Sequence, residues 1–167
     1  MPTGLQLRPS QPGDQDFLRR VYASVRAGEI AQTGWDAATA AAFLGMQFDA
    51  QDRHYRQHYP QARYDIVEQD GEPVGRLYVA RGDDAIRVLD ISLLAAWRGR
   101  GIGGALLGAL QEEAGAAGQR ISIQVDTGNP AFTLYQRLGF RELEIHGLYR
   151  LMEWHASAFA STPQETT

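Results

Sequence analysis

Between an apolar, strand-like run (Ile86 to Leu94) and a helix-like run (Ala105 to Ala117) the chain reads Arg98-Gly99-Arg100-Gly101-Ile102-Gly103-Gly104. Four glycines in six residues leave no Cβ atoms to keep a ligand from the backbone. The helix that follows leaves its first N–H groups without intrahelical partners and turns the positive end of its dipole to the same place. The combination is an anion cradle suited to phosphate or pyrophosphate. It also constrains the fold, because a strand–helix–strand crossover calls for a parallel pair.

At 167 residues the chain is one domain by length and buries a core without staples. No run of 18 apolar residues occurs, so no membrane span is expected, and no basic-then-apolar leader suggests a signal peptide. The absence of cysteine excludes disulfides, thiolate nucleophiles and cysteine metal sites, and agrees with a cytoplasmic location. All 16 basic residues are Arg, which excludes Schiff-base chemistry and a P-loop lysine; base composition explains the bias. The net charge of -4 argues against a nucleic-acid partner and favours a cationic small molecule or peptide.

Leu5 to Arg8 reads as a first strand. Asp14 is expected to cap a helix from Gln15 to Arg26 that turns Phe17, Leu18, Val21 and Tyr22 to one face, with a loop from Gly28 to Gly34. Asp36 is the expected N-cap of a second helix, Ala37 to His58, closed by Pro60 and interruptible at Gly45. Phe43, Leu44 and Phe48 read as core. Arg63 to Glu68 and Pro73 to Ala80 flank Asp70-Gly71, a hairpin signal, and Gly82-Asp83-Asp84 turns into the strand Ile86 to Leu94. Gly118 ends the helix after the glycine motif, and Arg120 to Val125 is a strand. Asn129 caps, and Pro130 opens, a helix to Leu138 that Gly139 closes. Phe140 to Ile145 and Leu148 to Trp154 form a final hairpin around His146-Gly147. Residues 1–156 make one domain, and the polar tail 157–167 is expected to be disordered. The order β-α-α-β-β-β-α-β-α-β-β defines an α/β fold with a mixed sheet, antiparallel early and parallel across the glycine-motif helix.

Gly99-x-Gly101-x-x-Gly104, with Asp126 downstream, also matches the dinucleotide fingerprint. Ala95-Ala96-Trp97-Arg98 separate the strand from the first glycine, three antiparallel strands precede the motif, and only one crossover follows it. These features count against a Rossmann unit.

The other register, Arg98-x-x-Gly101-x-Gly103, resembles the signature of the GNAT superfamily of acetyl-CoA-dependent N-acetyltransferases, between the fourth strand and third helix of this element order. The segment from Asn129 through Ala131, Leu134, Tyr135 and Gly139-Phe140 is similar to a second family pattern, Asn-x-x-Ala/Phe-x-x-Leu-Tyr-x-x-x-Gly-Phe. The two fall in family order, and the resemblance spans Leu5 to Trp154.

The resemblance implies a GNAT-like fold and coenzyme A held by backbone N–H groups of Gly99, Arg100, Gly101, Ile102, Gly103 and Gly104. Arg98 and Arg100 would add charge-assisted contacts to phosphate, Arg100 being equally well a surface arginine. Ile91, Ser92 and Leu93 match the strand end that pairs with the pantetheine arm, where a bulge splays the fourth strand from the fifth; an ordinary core strand explains them equally well. Asn129 matches a cofactor-contacting position and serves a helix cap at the same time. Tyr135 matches the family's general acid, which protonates the departing thiolate from about two turns along its helix; its other role is a packed aromatic. Family members carry a glutamate base at the positions of Arg87 or Gln124, and neither is acidic here. Asp90, an acid in an apolar strand, is left as base, directly or through water, or as the ion-pair partner of a strand neighbour such as Arg76. A water chain without a dedicated base is the further alternative.

In the family the first two helices shape the acceptor site. Here they and their loop hold Glu29, Trp35, Gln47, Gln51, His54 and Tyr55. Gln47, Gln51 and Tyr55 share a helical face, either lining a pocket or sitting half-buried with satisfied amides. His54 and His58 have a metal-compatible spacing but no third ligand, and no metal is expected. The resemblance implies transfer of an acetyl group from acetyl-CoA, as cosubstrate, to a primary amine of a small molecule or peptide, by direct attack in a ternary complex. The alternative is a non-catalytic acyl-CoA-binding sensor or scaffold. A homodimer through the C-terminal hairpin is expected by analogy alone.

Overall fold

The computed structural model describes residues 1–126, 129 and 131–156. The elements follow in the expected order, with two added 3-10 turns: β1 (Leu5–Pro9), α1 (Gln15–Ala31), α2 (Ala37–His58), β2 (Arg63–Gln69), β3 (Glu72–Arg81), β4 (Ala85–Leu93), α3 (Ile102–Ala117), β5 (Arg120–Asp126), α4 (Phe132–Arg137), β6 (Arg141–His146) and β7 (Tyr149–His155). The 3-10 turns are Pro12–Asp14 and Ala95–Trp97. Seven strands form one mixed sheet in the order β1-β2-β3-β4-β5-β7-β6. The chain divides into two compact units, one of Pro2–Tyr78 with Asp90–Arg100, the other of Val79–Leu89 with the described residues from Gly101 on.

In the first unit β1 pairs antiparallel with β2, from Leu5 opposite Gln69 to Pro9 opposite Asp65. Its core gathers Phe17, Leu18, Val21 and Tyr22 of α1, Phe48 of α2 and Ile66 of β2. Tyr22 and Phe48 meet edge to face at 5.7 Å. Leu44 packs against this core, whereas Phe43 is half-buried and meets Trp35 edge to face at 5.0 Å. Asp36 caps α2 as expected, accepting from the Thr39 N–H at 2.7 Å. Asp70 and Gly71 both take positive φ (54° and 81°), as a primed hairpin turn requires.

Three local expectations fail here. Asp14 makes no side-chain cap on α1. Its carboxylate accepts from the Gln11 N–H at 2.8 Å and from both Arg8 terminal nitrogens at 2.9 Å. A cation from β1 overrides the local cap, because charge-assisted hydrogen bonds are the stronger ones. Helix α1 runs through Gly28 to Ala31 instead of ending at Arg26, so the loop is shorter than Gly28–Gly34. Gly28 costs about 1 kcal/mol in a helix interior, too little to stop a run of Ala, Glu and Ile; Thr33 closes it by donating to the Ile30 carbonyl at 2.7 Å. Gly45 does not split α2, and the site of its missing Cβ lies 3.6 Å from Nη1 of Arg19 on α1.

In the second unit β4 and β5 run parallel, Ala85 to Val88 opposite Arg120 to Ile123. The crossover between them is α3, which buries Ile102, Leu106, Leu107, Leu110 and Ala114. Gly118, at φ 68°, ends α3 in the left-handed conformation. The last two strands form the expected hairpin, and β7 is the one that pairs with β5, antiparallel, leaving β6 at the sheet edge. Helix α4 is shorter than expected. Contrary to expectation, Asn129 is not its N-cap: that residue is Ala131, whose N–H donates to Asn129 Oδ1 at 2.9 Å, while the Asn129 carbonyl accepts from Phe132 at 3.1 Å, ahead of the helix. Pro130, expected at the first helical position, and the tail 157–167 lie outside the described residues.

Candidate functional site

The glycine motif is built on its backbone. After Leu93 the chain makes the 3-10 turn Ala95–Trp97, then takes positive φ at Gly99 (74°) and at Gly101 (84°), the residue that caps α3. L-residues with side chains resist both conformations. A Cβ at Gly99 or Gly101 would meet no atom of the described residues within 4 Å, so both positions face open space among them. Gly103 and Gly104 lie in the first turn of α3, where Cβ atoms would come 3.6 and 3.9 Å from the Leu134 side chain of α4. Ile102 between Gly101 and Gly103 is buried.

The two arginines of the motif have protein partners. Arg98 donates from Nε to the Leu93 carbonyl at 3.0 Å and from Nη2 to the Ser24 hydroxyl at 3.2 Å. The Arg100 guanidinium stacks 4.7 Å from the Trp97 ring centre. Sequence reasoning had no signal for Ser24, a polar residue on an otherwise ordinary helix.

Ile91, Ser92 and Leu93 close β4. Their approach to β3 depends on Gly75: a Cβ there would collide with the Ser92 carbonyl oxygen and lie 2.7 Å from the Leu93 side chain. The Leu94 N–H donates to the Val74 carbonyl at 2.9 Å and continues that contact.

Asp90 stands at the centre of a polar cluster inside an aromatic surround. Arg76, 2% exposed, donates from Nε to Asp90 Oδ2 at 2.5 Å and from Nη2 to Gln51 Oε1 at 2.7 Å. Ser92 donates to the same Asp90 oxygen at 2.8 Å. The Arg76 guanidinium lies 4.6 Å from the Tyr78 ring centre. Tyr55 packs edge to face on Tyr78 at 5.9 Å, and its carbonyl accepts from the Tyr64 hydroxyl at 3.0 Å. Burial alone would lower the Arg76 pKa; the Asp90 charge and hydrogen bond reverse that and hold it above the usual guanidinium value. Burial, then the Asp90 charge, pushes the Tyr55 phenol up, and burial does the same to Tyr78. The Tyr78 hydroxyl is buried without a hydrogen-bond partner among the described residues. Of the two roles left to Asp90, the ion pair with Arg76 is a direct contact. Arg76 itself was visible in sequence only as a possible neighbour, and Gln51 only as one of a polar stripe. Gln47, on the same face, is exposed.

Arg87 is half-buried on β4 and Gln124 is exposed on β5. Tyr135 is the fourth residue of α4, one turn in rather than two, because the helix begins at Phe132. It is buried, with its ring 6.0 Å from Phe140. His58 Nδ1 lies 2.9 Å from the His54 carbonyl oxygen. Among the described residues no group of three or more His, Asp or Glu is placed to hold a metal, and no helix is long and apolar enough to cross a membrane.

No curated protein matches the chain in sequence. Residues 60–142 match the family model described as an acetyltransferase (GNAT) domain. Among solved structures, the PaiA N-acetyltransferase of Thermoplasma acidophilum in complex with coenzyme A aligns with a TM-score of 0.65 at 14% identity, over 90% of this chain and 98% of that one. An acetyltransferase of Thermus thermophilus gives 0.63 at 24% identity, over 90% and 96%. The ribosomal-protein-S18-alanine N-acetyltransferase of Escherichia coli gives 0.63 at 18%, over 91% and 94%. Residues 60–142 thus belong, by the family model, to the GNAT acetyltransferase family, and the solved structures share the fold of the chain.

Proposed function

We propose that the protein transfers an acetyl group from acetyl-CoA to a primary amine of a small molecule or peptide, by direct attack within a ternary complex. The observation that carries this reading is the turn from Gly99 to Gly104, with positive φ at Gly99 and Gly101 and no atom of the described residues within 4 Å of a Cβ at either. Free main-chain donors at the start of a 16-residue helix fit a diphosphate in charge and shape. The N–H groups of Gly99, Arg100, Gly101, Ile102, Gly103 and Gly104 would hold it, and Arg100 would add a charge-assisted contact. Ile91, Ser92 and Leu93 offer backbone groups to the amides of the pantetheine arm, and Asn129 supports the same ligand from the turn before α4.

Acetyl-CoA supplies a thioester carbonyl. The amine nitrogen forms a bond to that carbon, the carbon–sulfur bond breaks, and Tyr135 delivers a proton to the thiolate. The proton leaving the amine passes to Asp90 or to water. Asp90 Oδ2 already accepts from Arg76 and Ser92, but a carboxylate has lone pairs to spare on its other oxygen.

That same commitment of Asp90 to Arg76 favours the second reading, an acyl-CoA-binding module without catalysis. Thiol release from acetyl-CoA across a panel of primary amines, alongside calorimetry with CoA, separates the two. Release with at least one amine supports the transferase; CoA binding with no release from any amine assigns the module; no affinity for CoA ends both.

A further inference from the structure

We propose that Ser24 and Arg98 form a clasp that presets the glycine loop for its ligand, making both of them positioning residues for coenzyme A. The inference rests on the cofactor reading above and adds to it a residue from α1, far from the motif in sequence.

The Ser24 hydroxyl accepts two hydrogen bonds, from the Ala95 N–H at 3.2 Å and from Arg98 Nη2 at 3.2 Å. Ala95 opens the 3-10 turn, so its N–H has no partner inside that turn; Arg98 caps the other end, donating its own N–H to the Ala95 carbonyl at 3.3 Å. One side-chain oxygen therefore grips both ends of the turn. Arg98 Nε then reaches back to the Leu93 carbonyl, closing residues 93–98 into a ring anchored on α1.

The position of this ring gives it a function. The next residues are Gly99, Arg100 and Gly101, two of them in left-handed backbone. Glycine has the most backbone freedom to lose, so a loop of this composition is ordered only as well as its ends are held. Its far end is held by α3. The near end is held by the clasp. Freedom removed before the ligand arrives is freedom that binding need not remove. Arg98 thus acts on phosphate through the shape of the loop, with two of its nitrogens committed to protein oxygens.

The test is calorimetry with CoA on the full chain and its Ser24→Ala and Ser24→Thr variants, with amide hydrogen exchange of the Gly99–Gly101 segment in the absence of ligand. Alanine is the better helix former, so Ser24→Ala does not weaken α1. Loss of the two accepted bonds is expected to weaken CoA binding about tenfold, to speed exchange at Gly99–Gly101, and to lower the melting temperature by no more than a few degrees, about 2–4 °C per kcal/mol lost. Ser24→Thr, which keeps the oxygen, is expected to bind within about threefold of wild type, as fits a retained hydrogen-bond acceptor. Equal CoA affinity in wild type and Ser24→Ala overturns the clasp, as does a Ser24→Thr protein as weak as Ser24→Ala. Wild-type protein without CoA affinity overturns the cofactor reading itself, a result distinct from either.

Discussion

Arg76 on β3 and Asp90 on β4 form a buried ion pair, Nε to Oδ2 at 2.5 Å, with the guanidinium side chain 3% exposed and the carboxylate 23% exposed. The asymmetry matters. The cation has left water almost completely, and the anion is what makes that tolerable.

Asp90→Asn should therefore cost about 3 kcal/mol or more in urea unfolding, since it strands a buried guanidinium. The double change Arg76→Met with Asp90→Leu should recover most of that loss, because well-packed apolar groups replace buried pairs at little cost. A single variant as stable as wild type would show that the pair holds nothing together.

Gly75→Ala should destabilise the protein by about 2 kcal/mol, the usual scale of an overpacked site. The obstacle is the Ser92 carbonyl, a backbone atom that cannot rotate away. Since Ser92 and Leu93 also belong to the proposed pantetheine segment, CoA affinity should fall with it. Chemical denaturation and calorimetry read the two effects separately.

Gly101→Ala should lose about 1–2 kcal/mol for holding an L-residue in left-handed backbone. No collision adds to this in the free protein, where the position faces open space. Gly101→Trp fills that space and should abolish CoA binding under the proposed reading. If it binds CoA normally, the diphosphate does not lie over this turn.

Tyr135→Phe should leave CoA affinity unchanged, because the buried ring keeps its packing on Phe140. Turnover with a responsive amine should drop about 10²–10⁴-fold, the range of a lost general acid. Unaltered turnover would return Tyr135 to a packing role.

Acid sensitivity should arise in part at Asp14, whose carboxyl the Arg8 hydrogen bonds hold below its ordinary value. A folded-state pKa below the unfolded one adds stability above the unfolded value, about pH 4, that is lost as the pH falls through the folded value. Asp14→Asn should lower the melting temperature near neutrality and flatten its decline as the pH falls below about 4. Parallel curves for variant and wild type would assign the acid transition to other groups.

The features legible in the chain alone are those carried by neighbours in sequence. Asp36 caps α2, Asp70-Gly71 turns a hairpin, Gly118 stops α3, and the glycine motif meets a helix start, each through bonds spanning a few residues. Element order and the mixed sheet follow from such signals and from the crossover rule. What tertiary structure alone decided are contacts that no local pattern encodes: Asp14 is drawn from its helix to Arg8, Gly75 admits Ser92, and Ser24 takes hold of Arg98, while of the roles the sequence left to Asp90 the pair with Arg76 is the one in direct contact. Periodicity places a side chain on a face and says nothing of what stands opposite. A charged or hydroxyl group bonds whichever partner the packed chain brings within about 3 Å, and that partner exists only once the strands and helices have assembled.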